Sequence, residues 1–164
     1  MPGYDAALHK VMQLAGELPE VGRAYPPLSP DQLAALSSTV RSRFGIALPA
    51  ESGELLARCD GVSFNERMIH GSTDRTRLDS LQRPITVLQS IITVNEALRT
   101  DAGFEEALVL ATDAFCHYGL NIADGRFVRW SLVTLEEEAD FDHFDAMVQH
   151  VLEEAIESGK GLRG

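Results

Sequence analysis

Two cysteines, five histidines and 25 carboxylates are the side chains able to do chemistry in this chain, and their spacing brings few of them together. Cys116 and His117 are neighbours in a stretch that reads as a β-strand. Successive strand side chains point to opposite faces, so the two cannot form a nucleophile–base dyad there. They read as one core thiol and one surface or interface imidazole. His143 and His150 share a side of the last helix but lie seven residues apart. At about 1.5 Å per residue that is roughly 10.5 Å, too far for one metal ion. His150 and Glu154 have the i, i+4 spacing of a chelating pair, yet two ligands alone make a weak site. The sequence holds no G-x-S-x-G elbow, Walker loop, Cys-x-x-Cys pair or Rossmann glycine fingerprint. The adjacent acids of 136–142 have no basic residue near them in sequence to build a general acid–base pair, and they read as surface carboxylates. The expectation is therefore a non-enzyme, with no cofactor and no metal.

Charge is more informative. With 14 Lys and Arg against 25 Asp and Glu, the net charge is −11. Residues 1–131 carry −4 of it (12 bases, 16 acids) and residues 132–164 carry −7 (2 bases, 9 acids). No Lys or Arg falls between Leu132 and Ser158. Nucleic-acid binding needs cations against phosphate, so an acidic chain argues against it. A basic protein partner fits, and the field would speed its approach. Glu136, Glu137, Glu138, Asp140 and Asp142 are the candidate partner surface. No apolar run approaches the roughly 20 residues a membrane helix needs. The start, MPGYDAALHK, does not read as a secretory signal. Two cysteines are too few for a disulfide framework and read as reduced thiols, so a cytoplasmic location is expected.

The elements that position these residues follow from periodicity. Tyr4–Leu18 has a helical stripe, and Pro19–Leu28 reads as an irregular linker. Ser29-Pro30-Asp31 caps a helix that Gly45 ends. Leu48-Pro49 opens a short helical run through Leu55, Leu56 and Cys59. Asp60-Gly61 breaks it and turns the chain into an extended segment, Val62–His70, closed by Gly71. Residues 72–84 read as an exposed loop with local basic charge, Arg75, Arg77 and Arg83. Residues 85–93 favour a strand and 95–98 a helical turn. Ala107–Ala111 is a buried strand, and Cys116–Ile122 and Arg126–Ser131 form a hairpin around Asp124-Gly125. Asp140-Phe141-Asp142 offers two caps for a final helix reaching about Ser158, and 159–164 is left as a frayed tail. The 164 residues make one domain, with the helix and linker of 1–28 joined to the body of 29–158.

The corner at Leu48–Gly71 resembles the SUKH superfamily, which includes bacterial immunity proteins and the yeast cell-wall assembly regulator. The matching residues are Leu48-Pro49, Leu55-Leu56, Asp60-Gly61 and the strand end Ile69-His70-Gly71, with Phe44-Gly45-Ile46 leading in. The Asp124-Gly125 hairpin and the Phe141–Leu152 helix match later family elements in type and order. The chain departs from the pattern at Val62, where a second glycine is usual, and at Gly53, where an aromatic is usual. The resemblance implies an α+β fold, helices on a twisted, mainly antiparallel sheet, in which Leu48, Pro49, Leu55, Leu56, Asp60, Gly61, Gly71, Asp124 and Gly125 define the frame. It implies a protein-binding role, most often an immunity protein that occludes the active site of a cognate toxin. A cytoplasmic regulatory or scaffold domain unrelated to toxins is the other role open to the same scaffold, and a homodimer is allowed.

Overall fold

The structure is a computed structural model and describes residues 2–163. The elements run α1 (Asp5–Glu17), β1 (Gly22–Ala24), α2 (Pro30–Phe44), α3 (Ala50–Leu56), β2 (Val62–Phe64), β3 (Arg67–Ile69), β4 (Arg75–Leu78), β5 (Pro84–Leu88), α4 (Ile91–Ala102), β6 (Ala107–Thr112), β7 (Cys116–Asn121), β8 (Phe127–Ser131), β9 (Glu137–Phe141) and α5 (Phe144–Gly159). A 3₁₀ turn, Lys160–Arg163, occupies the tail that was expected to fray. Among the described residues, seven strands form one antiparallel sheet in the order β1-β2-β3-β6-β7-β8-β9, and β4 and β5 pair separately. The fold is α+β in one domain, as expected.

Local chemistry explains most of these elements. Ser29 accepts from the Gln32 N–H while Gln32 returns a bond to the Ser29 N–H, a complete capping box with Pro30 behind it. Gly45, at φ +73°, closes that helix in the left-handed conformation. Alternation along β8 sends Phe127 to one side of the sheet and Trp130 to the other, so two cores form. The larger contains Tyr4, Leu8, Val11, Leu56, Phe64, Tyr118, Phe144 and Met147 and gathers α1, α3 and α5 onto one face. The smaller, Val94, Phe104, Val109, Val128 and Trp130, lies under α4 on the opposite face. Asn95 of α4 reaches the sheet at the β6 bulge. Its Nδ2 donates to Val109 O and its Oδ1 accepts from Val109 N, both at 2.8 Å. No helix among the described residues is long and apolar enough to cross a membrane.

Four expectations need correction. The linker of 19–28 contains β1, which pairs with β2. The segment Val62–His70 is two strands joined by Asn65-Glu66, both with positive φ (46° and 67°), as a two-residue hairpin turn requires. Residues 72–84 are not a plain loop, since they hold β4, which pairs with β5, and the strand expected over 85–93 ends at Leu88, because a Ser90 cap starts the next helix at Ile91. Finally, Asp140-Phe141-Asp142 does not begin a helix. Asp140 and Phe141 end the edge strand β9, and His143 caps α5 by accepting from Ala146 N.

Candidate functional site

The five acids proposed as a partner surface lie on β9 and its two flanks, at one edge of the sheet. The fold brings them cations that the local sequence does not. Arg126, in the β7–β8 turn, donates to Glu137 through both terminal nitrogens (2.7 and 3.2 Å), to Asp140 (3.3 Å) and through Nε to Asp124 (2.8 Å). Hydrogen bonds to Glu137, and next to Asp124, raise the guanidinium pKa. Arg129 of β8 faces Glu138 at 3.5 Å, and the Cys116 thiol donates to the same carboxylate at 3.3 Å. So Glu137, Glu138 and Asp140 are engaged within the sheet. Glu136 and Asp142 are exposed, and their side chains have no hydrogen bond or ion pair among the described residues. The expected surface exists, but only part of its charge is free.

The frame-defining residues of the corner also have definite places. Leu55 and Leu56 are buried, while Leu48 and Pro49 are half-buried at the start of α3. The helix ends at Leu56, earlier than expected, and single turns carry the chain to Cys59. Asp60 does more than mark a stop. It is 2% exposed and accepts from Ser72 N and Ser72 Oγ, each at 2.7 Å, and from Arg75 Nη2 at 3.0 Å. The Arg75 guanidinium in turn lies over the Tyr25 ring, 4.5 Å from its centroid. A buried carboxylate satisfied this fully ties α3, β1 and β4 to one point. Gly61 has φ +88°, and a Cβ on Gly71 would stand 2.4 Å from the Asp60 carbonyl oxygen. Both glycines are required by close backbone approach. Asp124 and Gly125 sit in the β7–β8 loop, where Asp124 accepts from Arg126 N and Gly125 takes φ +74°.

The reactive side chains are dispersed. Cys116 packs in the larger core, and burial, with Glu138 next, pushes its thiol up to about 11, so the thiolate is scarce at neutral pH. His117 is on the other face, as strand alternation requires, but it is not a surface imidazole: it is 6% exposed. His150 is half-buried against the rings of Tyr118 and Phe141. Among the described residues, no group of three or more His, Cys, Asp or Glu is placed to hold a metal ion.

One arrangement was not legible in the sequence. His70 follows β3, Thr112 ends β6 and His117 lies in β7, and the three form a buried chain. The Thr112 hydroxyl is 2.8 Å from His70 Nε2 and 3.0 Å from His117 Nδ1, and His70 Nδ1 is 2.9 Å from the Gln89 carbonyl. Burial lowers the pKa of both imidazoles, that of His70 to about 4. Only the neighbouring strand order brings residues 70, 112 and 117 together, so no local motif announces them. Comparison with protein-family models and with curated proteins finds no match to this chain.

Proposed function

We infer that the chain is a non-enzymatic protein-binding module of the SUKH type, and within that class a bacterial immunity protein. It acts in the cytoplasm by covering the active site of a cognate toxin that has a basic surface. The observation that carries this reading is the concentration of acids on an edge strand. β9 has a sheet neighbour on one side only, and Glu136, Glu137, Glu138, Asp140 and Asp142 line it and its flanks. An edge strand offers unpaired backbone groups, and an acidic one discourages pairing with its own kind. A basic protein meets the opposite field and is drawn in, with an association rate that falls as salt rises. The frame adds support, because helices on an antiparallel sheet behind the Asp60-Gly61 bend are the architecture that the SUKH resemblance implies.

The test is protection. The chain is co-expressed with the catalytic domain of each secreted toxin encoded in its own genome, and growth is scored. The expected result is rescue from one toxin, lost when Glu136, Glu137 and Glu138 are all changed to Lys. Failure to rescue from any toxin, with moderate binding to a housekeeping protein, moves the reading to a regulatory or scaffold domain. Rescue that survives the triple reversal at low salt removes β9 from the interface.

A further inference from the structure

A groove on the α4 side of the sheet ends on an imidazole with one nitrogen left unused. Val94, Ala97, Leu98, Asp101 and Ala102 recur at helical three- and four-residue spacing, so they form one flank of α4. Between that flank and His117 lies a cavity of about 210 Å³, with Gln89 also in its wall. The lining is mostly apolar, and Asp101 is its one carboxylate. A few polar groups in an apolar concavity are what a small-molecule site consists of.

The hydrogen-bond chain beneath the groove fixes what His117 can do there. The Gln89 carbonyl can only accept, so His70 Nδ1 carries the ring proton and donates to it. Nε2 of the neutral His70 ring is then an acceptor, and the Thr112 hydroxyl donates its single hydrogen to it. With that hydrogen used, Thr112 Oγ1 can only accept, so His117 Nδ1 donates. His117 Nε2 is left with a lone pair, and among the described residues no hydrogen bond reaches it. His117 is more than nine-tenths buried yet lines the groove. Its Nδ1 edge is turned to Thr112, which leaves the Nε2 edge for the cavity. The Nε2 edge is open to the groove and has no protein partner among the described residues, so it takes its hydrogen bond from whatever occupies the groove, and that occupant must be a donor.

We propose that the groove binds small primary amines in their ammonium form. An N–H of the ammonium donates to His117 Nε2, Asp101 at the rim supplies the counter-charge, and the apolar body of the amine lies against Val94, Ala97, Leu98 and Ala102. The apolar flank from Val94 to Ala102 spans about two turns of α4, which suits a short alkylamine or benzylamine. A ligand this small binds with a Kd on the order of 1 mM. The site is distinct from β9 and does not depend on the immunity reading.

The experiment is an NMR titration of the full chain with benzylamine hydrochloride at pH 7.5 and constant ionic strength. It follows the His117 ring and the methyl groups of Ala97 and Ala102, with benzyl alcohol as the neutral comparator. Saturable shifts at these three residues are expected, with benzyl alcohol about tenfold weaker. Asp101→Asn should weaken the amine several-fold and leave the alcohol unchanged. His117→Phe should abolish binding. Because a buried change at 117 risks the fold, Ala97→Leu gives a second test, filling the groove from the half-buried helix. It should block binding while leaving the His117 ring resonances of the free protein in place. Absence of saturation at ten times the expected Kd overturns the site. Equal affinity for amine and alcohol overturns its assignment to ammonium ligands.

Discussion

Lowering the pH should destabilise this fold through His70, by an amount the structure lets us work out. His70 is 1% exposed, and both ring nitrogens are used, Nδ1 by the Gln89 carbonyl and Nε2 by the Thr112 hydroxyl. A proton on Nε2 would replace an accepted bond with two opposed hydrogens, in a place that solvates charge poorly. Burial accordingly lowers the pKa to about 4 from an ordinary 6.5, with His117 adding to the effect and the Gln89 bond and Asp74 opposing it. The sign follows from linkage. The unfolded chain takes up a proton near pH 6.5 and the folded chain resists until about 4, so the unfolded state binds more protons in between. Stability that is fully present above 6.5 is lost as pH falls, at about 1.4 kcal/mol per pH unit. Between pH 7.5 and 4.5 the loss comes to about 2–3 kcal/mol, a large part of the roughly 5–15 kcal/mol that holds a domain together. Urea unfolding of the wild type and of His70→Gln across this range isolates the effect of His70 together with its coupling to His117, because carboxylates away from the His70–Thr112–His117 chain titrate in both proteins and cancel in the difference. The wild type should lose about 2–3 kcal/mol more than the variant. Parallel pH profiles would show that His70 is not held neutral and would refute the argument.

Two further outcomes test the sheet. Gly119 of β7 has no room for a side chain: an added Cβ would lie 2.0 Å from the Leu108 carbonyl oxygen, which is backbone and cannot swing aside. Gly119→Ala should therefore cost about 3 kcal/mol or more in urea unfolding, whereas an alanine at Gly16, with open space around it, should be tolerated. Asn95→Leu keeps the branched shape but removes the amide that pairs the Val109 N–H and C=O in the core. A loss of about 1–3 kcal/mol for each of the two groups is expected, together with faster hydrogen exchange at the Val109 amide.

What could be read in advance follows from where each signal resides. The α2 cap, the buried strand at Ala107–Ala111 and the Asp124-Gly125 hairpin depend on neighbouring residues and were legible. The Asn65-Glu66 turn was hidden because it achieves positive φ without glycine. The strands β4 and β9 were hidden for a different reason. Thr76, Arg77 and Leu78 of β4 are all exposed, so no dry face is written into it, and in β9 the alternation is confined to Ala139 and Phe141, half-buried among exposed acids, too short to stand out from a run of carboxylates. Such a strand is specified by the partner it pairs with and not by its own composition. Of the candidate acids the positions were legible, but their cations were not, since Arg126 and Arg129 come from the adjacent strand and its turn.

That pairing bears on why β9 is acidic at all. If its carboxylates only guarded an open edge against a second copy, full negative charge would serve best, and each bound arginine would weaken the repulsion. Yet Arg126 gathers Asp124, Glu137 and Asp140, and Arg129 meets Glu138. Such exposed ion pairs add little to stability, so a large gain for the fold does not explain them either. What they do achieve is order: acidic side chains that would otherwise sample many rotamers are held at set positions along one edge. Ordering before contact lowers the entropy lost on contact, which is of use to a surface that receives another molecule and of none to one that repels its own kind. If β9 receives a basic partner, the paired acids would supply shape while Glu136 and Asp142, unpaired among the described residues at the two ends of the strand, would supply the attraction. Neutralising those two should slow association, whereas disrupting Glu137 and Glu138 should mainly speed dissociation, and kinetics that fail to divide in this way would return β9 to simple edge protection.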